Sequence, residues 1–128
     1  MTERASGRVS GPESGPVVWF EIMGQDADKL REFYEELLGW RFEVASPLGY
    51  GMVAAGEGGI PGGVGQAADG SRGWATFYTK VPQLELAMAR ATALGSSVLL
   101  EIQELPDVRI AVVTDPEGHP VGLCEARA

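Results

Sequence analysis

The residues best equipped for chemistry are Trp19, Glu21, Trp74, Thr76 and Tyr78, which alternate along two runs rich in β-branched and aromatic side chains. Successive side chains of a strand point to opposite faces, so each run divides into two sets. In Val17 to Met23, one set is Val18, Phe20 and Ile22 and the other is Trp19, Glu21 and Met23. In Trp74 to Val81, Ala75, Phe77, Thr79 and Val81 form one set, and Trp74, Thr76, Tyr78 and Lys80 the other. Two indoles, a phenol and a carboxylate brought together on one sheet face would suit a planar or cationic molecule, through ring stacking and cation attraction. The alternative is that the rings simply fill an interior. Glu21 is the more informative residue, because carboxylates are rarely buried unless paired. It is read either as a structural pair with Arg109 or Lys80, as a residue at an exposed rim, or as a desolvated acid or base that could receive a cation.

The remaining reactive side chains offer less. His119, the only histidine, follows a turn glycine and reads as a surface or packing residue. Cys124, the only cysteine, shares a strand face with Gly122; it reads first as a small buried core residue, with a place on the ligand-binding face as the alternative. No histidine stands at a spacing that would activate its thiol. A lone cysteine also excludes an intramolecular disulfide and a thiolate zinc cluster. Ten Lys plus Arg against eighteen Asp plus Glu give a formal charge of −8, the wrong sign for a nucleic-acid partner. No apolar run approaches the roughly eighteen residues of a membrane span, and Met1 to Pro16 lacks the apolar centre of a secretory signal. A cytoplasmic protein with no membrane partner is expected.

These side chains need elements to position them. Residues 1–16 are rich in Ser, Gly and Pro and read as a disordered tail. After the first strand, Asp26 is a good N-cap for a helix carrying Ala27, Leu30, Phe33, Tyr34, Leu37 and Leu38 on one side, stopped by Gly39. Strands are expected at Trp40 to Val44, Tyr50 to Ala55 and Gly62 to Val64. Ten of the eighteen glycines fall between Gly49 and Gly73, a density that suggests turns, bulges or close backbone approach. The pattern then repeats: a strand at Trp74 to Val81, a helix with Pro82 in its first turn ending at Gly95, and strands at Ser97 to Ile102, Val108 to Thr114 and Pro120 to Glu125. Leu38-Gly39 and Leu94-Gly95 close corresponding helices. Gly59-Ile60-Pro61-Gly62-Gly63-Val64 and Gly118-His119-Pro120-Val121-Gly122-Leu123 share Gly-x-Pro-x-Gly-aliphatic. Each half would leave an apolar sheet face bare, so a single α+β domain over 17–125 is expected, with module one at 17–66 and module two at 74–125.

Asp26 with Phe33-Tyr34-x-x-Leu37-Leu38-Gly39-Trp40, followed some eighty residues later by Thr114-Asp115-Pro116-Glu117-Gly118-His119, resembles the vicinal oxygen chelate superfamily of glyoxalases, bleomycin-resistance proteins and extradiol dioxygenases. The resemblance implies two βαβββ modules in a cupped mixed sheet around a cavity, in a chain that pairs as a homodimer. It also implies that Trp19, Glu21, Trp74, Thr76 and Tyr78 point into the cup. Metal-dependent members take ligands from the first and last strands of each module; carried over by spacing, those places hold Trp19, Gly63, Thr76 and Gly122. None is a metal ligand, since a divalent ion in such a cup needs imidazole or carboxylate donors. Gly63 and Gly122 instead read as empty seats that enlarge the pocket, or as bends.

The expected function is therefore a metal-free, cofactor-free small-molecule-binding protein with a cavity for an aromatic or cationic compound. The ligand-binding set is Trp19, Glu21, Gly63, Trp74, Thr76, Tyr78, Gly122 and Cys124. The alternative is a metal-independent isomerase- or lyase-like enzyme with Glu21 as its catalytic acid or base. A third reading is a collapsed cup serving as an oligomerising or regulatory unit.

Overall fold

The computed structural model describes residues 14–45 and 49–127. Most of the expected tail, residues 1–13, lies outside the described residues. At its end, Pro16 O already accepts a hydrogen bond from Lys80 N at 3.0 Å.

The chain runs β1 (Val17–Gly24), α1 (Ala27–Leu38), β2 (Phe42–Ala45), β3 (Tyr50–Val53), β4 (Gly62–Gln66), β5 (Trp74–Lys80), α2 (Leu84–Ala93), β6 (Val98–Glu104), β7 (Val108–Thr114) and β8 (Pro120–Ala126). The repeat seen in the sequence is the repeat of the fold. In each half the first strand pairs parallel with the last, β1 with β4 and β5 with β8. The halves join where β1 and β5 pair antiparallel, which gives one mixed eight-stranded sheet in the order β2-β3-β4-β1-β5-β8-β7-β6. Its edge strands β2 and β6 do not pair with each other, so the sheet stays open.

Both helices cover one face. Asp26 accepts from Lys29 N at 3.1 Å to start α1, and Gly39 ends it at φ 72°, a left-handed turn that costs glycine nothing. On that face Trp40 lies 5.1 Å from both Tyr34 and Phe20, nearly parallel to Tyr34, and 6.1 Å from Phe42. This packing explains why the second strand begins at Phe42 rather than at Trp40: the indole is spent on turning the chain off the helix. Arg31 is the unforeseen buried charge of α1, donating to Gly49 O at 2.7 Å and pairing with Asp28.

The second helix departs from expectation at its start. Pro82 precedes the helix, and Leu84 N is capped from across the sheet by Glu125 Oε1 at 2.7 Å, which no local pattern could reveal. Arg109 ties α2 to the sheet by pairing with Glu85, Glu104 and Glu125. That pairing holds the Glu85 carboxyl down at about 2, below its ordinary 4.5. A depressed carboxyl contributes stability that is present above its unfolded pKa and is lost as pH falls through the folded one. Arg109→Gln is accordingly expected to flatten the fall in melting temperature between pH 4.5 and 2, measured by circular dichroism; an unchanged acid limb would remove this network from the pH dependence.

Candidate functional site

On the face away from the helices, Glu21 of β1 stands at the centre of the sheet, 9% exposed, with Gly63 of β4 on one side and Thr76 of β5 on the other. Among the described residues its carboxylate accepts only from neutral groups. Tyr50 Oη donates to Oε1 at 3.1 Å; Trp74 Nε1 donates to Oε2 at 3.0 Å, and Tyr78 Oη reaches Oε2 at 3.4 Å, at the weak end of the range. Trp19 Nε1 in turn donates to Tyr50 Oη at 3.0 Å. The result is a chain of donors, Trp19 to Tyr50 to Glu21, completed by a second pair of donors from β5.

Burial, reinforced by the Glu21 charge, pushes both phenols well above their ordinary value. They therefore remain protonated donors throughout the working pH range. Among the described residues Glu21 makes no ion pair. The partners considered for it are elsewhere: Arg109 projects to the helix side, and Lys80 is exposed.

The sheet makes room for this arrangement with glycine. A Cβ on Gly63 would lie 2.1 Å from Tyr50 Oη and within 2.3 Å of its ring; one on Gly65 would lie 2.7 Å from the same ring. A Cβ on Gly122 would lie 2.5 Å from the Tyr78 ring and 2.7 Å from Phe77 O. The two seats therefore do not enlarge a pocket as the sequence reading expected: the space beside each is taken by a tyrosine ring laid across from the neighbouring strand. Sequence reasoning missed Tyr50. Its signal was present: an aromatic beginning one strand beside a Gly-x-Gly stretch in the next is the pattern by which a ring shields exposed glycine backbone.

The other candidates divide. Trp19, Glu21, Trp74 and Tyr78 meet on one face. Thr76 lies directly across from Glu21, but its hydroxyl donates to Pro120 O at 2.6 Å. Cys124 is buried with Tyr78 and Val112 in the apolar cluster beside the site, and burial pushes its thiol up. Val18 breaks the expected alternation by packing on this same cluster. The β1–β5 register shifts between Val17 and Trp19, and such an irregularity re-aims the side chains around it. His119 is exposed and bonded to Asp115 within its own turn.

The donor set at Trp19, Gly63, Thr76 and Gly122 does not fit a divalent ion: an indole, two bare backbones and a hydroxyl already committed offer no ligand. Among the described residues, no group of three His, Cys, Asp or Glu could hold one. What the arrangement can do is present a carboxylate amid four rings. Oε1 takes a single donor and keeps a lone pair for another.

A family model described as "Glyoxalase-like domain" matches residues 18–124. The curated protein "Putative glyoxylase CFP32" of Mycobacterium tuberculosis (strain CDC 1551 / Oshkosh) is 29% identical over 110 residues, covering 83% of this chain and 42% of the relative. The chain thus spans about two fifths of the length of the curated relatives it matches. A glyoxalase/bleomycin resistance protein/dioxygenase superfamily member from Vibrio splendidus 12B01 superposes with a TM-score of 0.61 at 18% identity, covering 88% of this chain and 99% of that one. Methylmalonyl-CoA epimerase from Mycobacterium tuberculosis does so with a TM-score of 0.61 at 16% identity, covering 94% and 93%. At these identities the two structures speak to the fold alone.

Proposed function

We propose, of a chain that belongs to the glyoxalase-like domain family, that it is a metal-free small-molecule-binding protein whose open sheet face takes an aromatic or cationic compound. The observation that carries the reading is the Glu21 carboxylate, nearly buried, ringed by Trp19, Tyr50, Trp74 and Tyr78 and, among the described residues, bonded only to neutral donors. A carboxylate removed from water with no cation beside it among the described residues favours a ligand that supplies one, and indole and phenol faces attract the same charge. Cys124 and Val112 pack with Tyr78 on the same face, and Trp19 and Trp74 lie against that cluster.

A thermal-shift series tests this, because a ligand that prefers the native state raises the melting temperature. Cationic aromatics such as benzyltrimethylammonium are expected to raise it. Small oxo acids are expected not to, and the shift is expected to vanish in Glu21→Gln. Excess EDTA should leave the melting temperature of the purified protein unchanged; a fall on chelation would reinstate a metal. Shifts given only by oxo acids would reverse the sign of the proposed ligand.

A cytoplasmic homodimer belongs to the same proposal. No helix among the described residues is long and apolar enough to cross a membrane. Phe33, Leu37 and Leu94 are exposed, Leu94 at 85%, and apolar side chains bared in this way suit a partner surface. Light scattering that gives a monomer mass at micromolar concentration would remove the dimer. The free lone pair on Oε1 supports a second reading, a metal-independent isomerase- or lyase-like step with Glu21 as acid or base. It predicts a turnover that Glu21→Gln abolishes, whereas the binding reading predicts none.

A further inference from the structure

The helix-covered face holds a concavity, separated from Glu21 by the thickness of the sheet. The turn from α1 into β2, the strand residues Phe20 and Val53, and the loop from β3 to β4 border an open hollow of about 440 Å³, a volume within the range of small-ligand sites. Its walls are mainly apolar. Phe20 and Trp40 form one side with ring centres 5.1 Å apart, and Tyr34 stacks on Trp40 at 20°, so the indole is held in place. Val53 is buried at the floor and Ile60 is exposed at the rim.

The polar side chain lining this hollow is Arg41. Arg31, Arg109 and Arg127 are engaged by carboxylates; among the described residues the exposed Arg41, like Arg72 and Arg90, makes no ion pair, and of these three it is the one that lines the hollow. A guanidinium with no carboxylate partner among the described residues, set at the edge of an aromatic slot, is the arrangement that selects a planar anion: the rings take the flat body and the fork of N–H donors takes a carboxylate. We infer that this hollow is a binding site for an aromatic carboxylate, independent of the Glu21 face and opposite to it in charge preference.

The test is a titration of the full-length protein with sodium 2-naphthoate and with neutral 2-naphthamide, followed by amide and indole NMR shifts. Saturable shifts are expected at the Trp40 indole and the Gly56 and Ile60 amides, with the Trp19 and Trp74 indoles unmoved. Arg41→Gln should weaken naphthoate about tenfold, the size of one charge-assisted hydrogen bond, and change naphthamide by less than about twofold. A Cβ at Gly56 meets nothing within 4 Å, so Gly56→Leu should fold normally, and its added bulk in the wall should weaken both compounds. Unsaturable shifts, shifts centred on Trp74, equal affinity for acid and amide, or naphthoate binding indifferent to Arg41→Gln would each overturn the site. Loss of binding as the protein self-associates would overturn it too, by giving the hollow to a second copy. None of these results depends on whether a cation binds beside Glu21.

Discussion

Gly73→Ala is expected to lower the unfolding free energy by about 3 kcal/mol or more, measured by urea denaturation. Gly73 has φ 84°, where a side chain is strained, and a Cβ there would stand 1.9 Å from Met23 O and 2.6 Å from Met23 C. Those atoms belong to the backbone of β1 and cannot yield as a flexible side chain would. Gly73 N also donates to Ser71 Oγ at 3.0 Å, so the approach is held from both ends. Relief would have to come from moving the start of β5, and with it Trp74 and its bond to Glu21. The control lies in the same loop. Gly70 has φ 80° but open space around it, so Gly70→Ala should cost only the conformational strain, about 1 kcal/mol. Equal losses at the two positions would show that the close approach to Met23 is not what requires a glycine.

Glu21→Leu is expected to cost about 2–4 kcal/mol despite replacing a buried charge with a hydrocarbon. Removing the carboxylate relieves its desolvation but leaves the Tyr50, Trp74 and Tyr78 donors without their acceptor, and each orphaned donor costs about 1–3 kcal/mol. The donors outnumber the charge. Glu21→Gln should be milder, because the amide oxygen can still accept from one side while its nitrogen faces the Tyr50 oxygen. A double-mutant cycle isolates the linkage: with Tyr50→Phe already present, Glu21→Leu orphans one donor fewer and should cost about 1 kcal/mol less. Strict additivity would mean that Tyr50 and Glu21 do not stabilise each other.

The parts of the fold that local chemistry controls were legible in the residues. Asp26 and Gly39 bound α1 because an N-cap oxygen and a left-handed glycine act within a single turn. The doubled Gly-x-Pro-x-Gly motif gave the two halves, and alternation placed Glu21 with Trp19, Trp74 and Tyr78. What escaped was non-local. The cap of α2 comes from Glu125, forty-one residues away, so Pro82 was a misleading start signal. The register shift at Val17/Trp19 cancels alternation for Val18, and bulges leave little mark in composition. Tyr50 was visible as a strand residue but not as a site residue, because its role depends on which strand lies beside Gly63 and Gly65. Neutral donors, rather than Arg109 or Lys80, answer Glu21 for a related reason: pairing across a sheet follows the face, and Arg109 is on the other one.

The most direct test of the metal-free, ring-lined carboxylate is calorimetric titration of the full-length protein with benzyltrimethylammonium in excess EDTA, run in parallel on Glu21→Gln. Saturable one-to-one binding by the unaltered protein, weakened at least about tenfold in the variant, is the predicted result. Binding that appears only when a divalent metal is restored, or that is indifferent to Glu21→Gln, would contradict it.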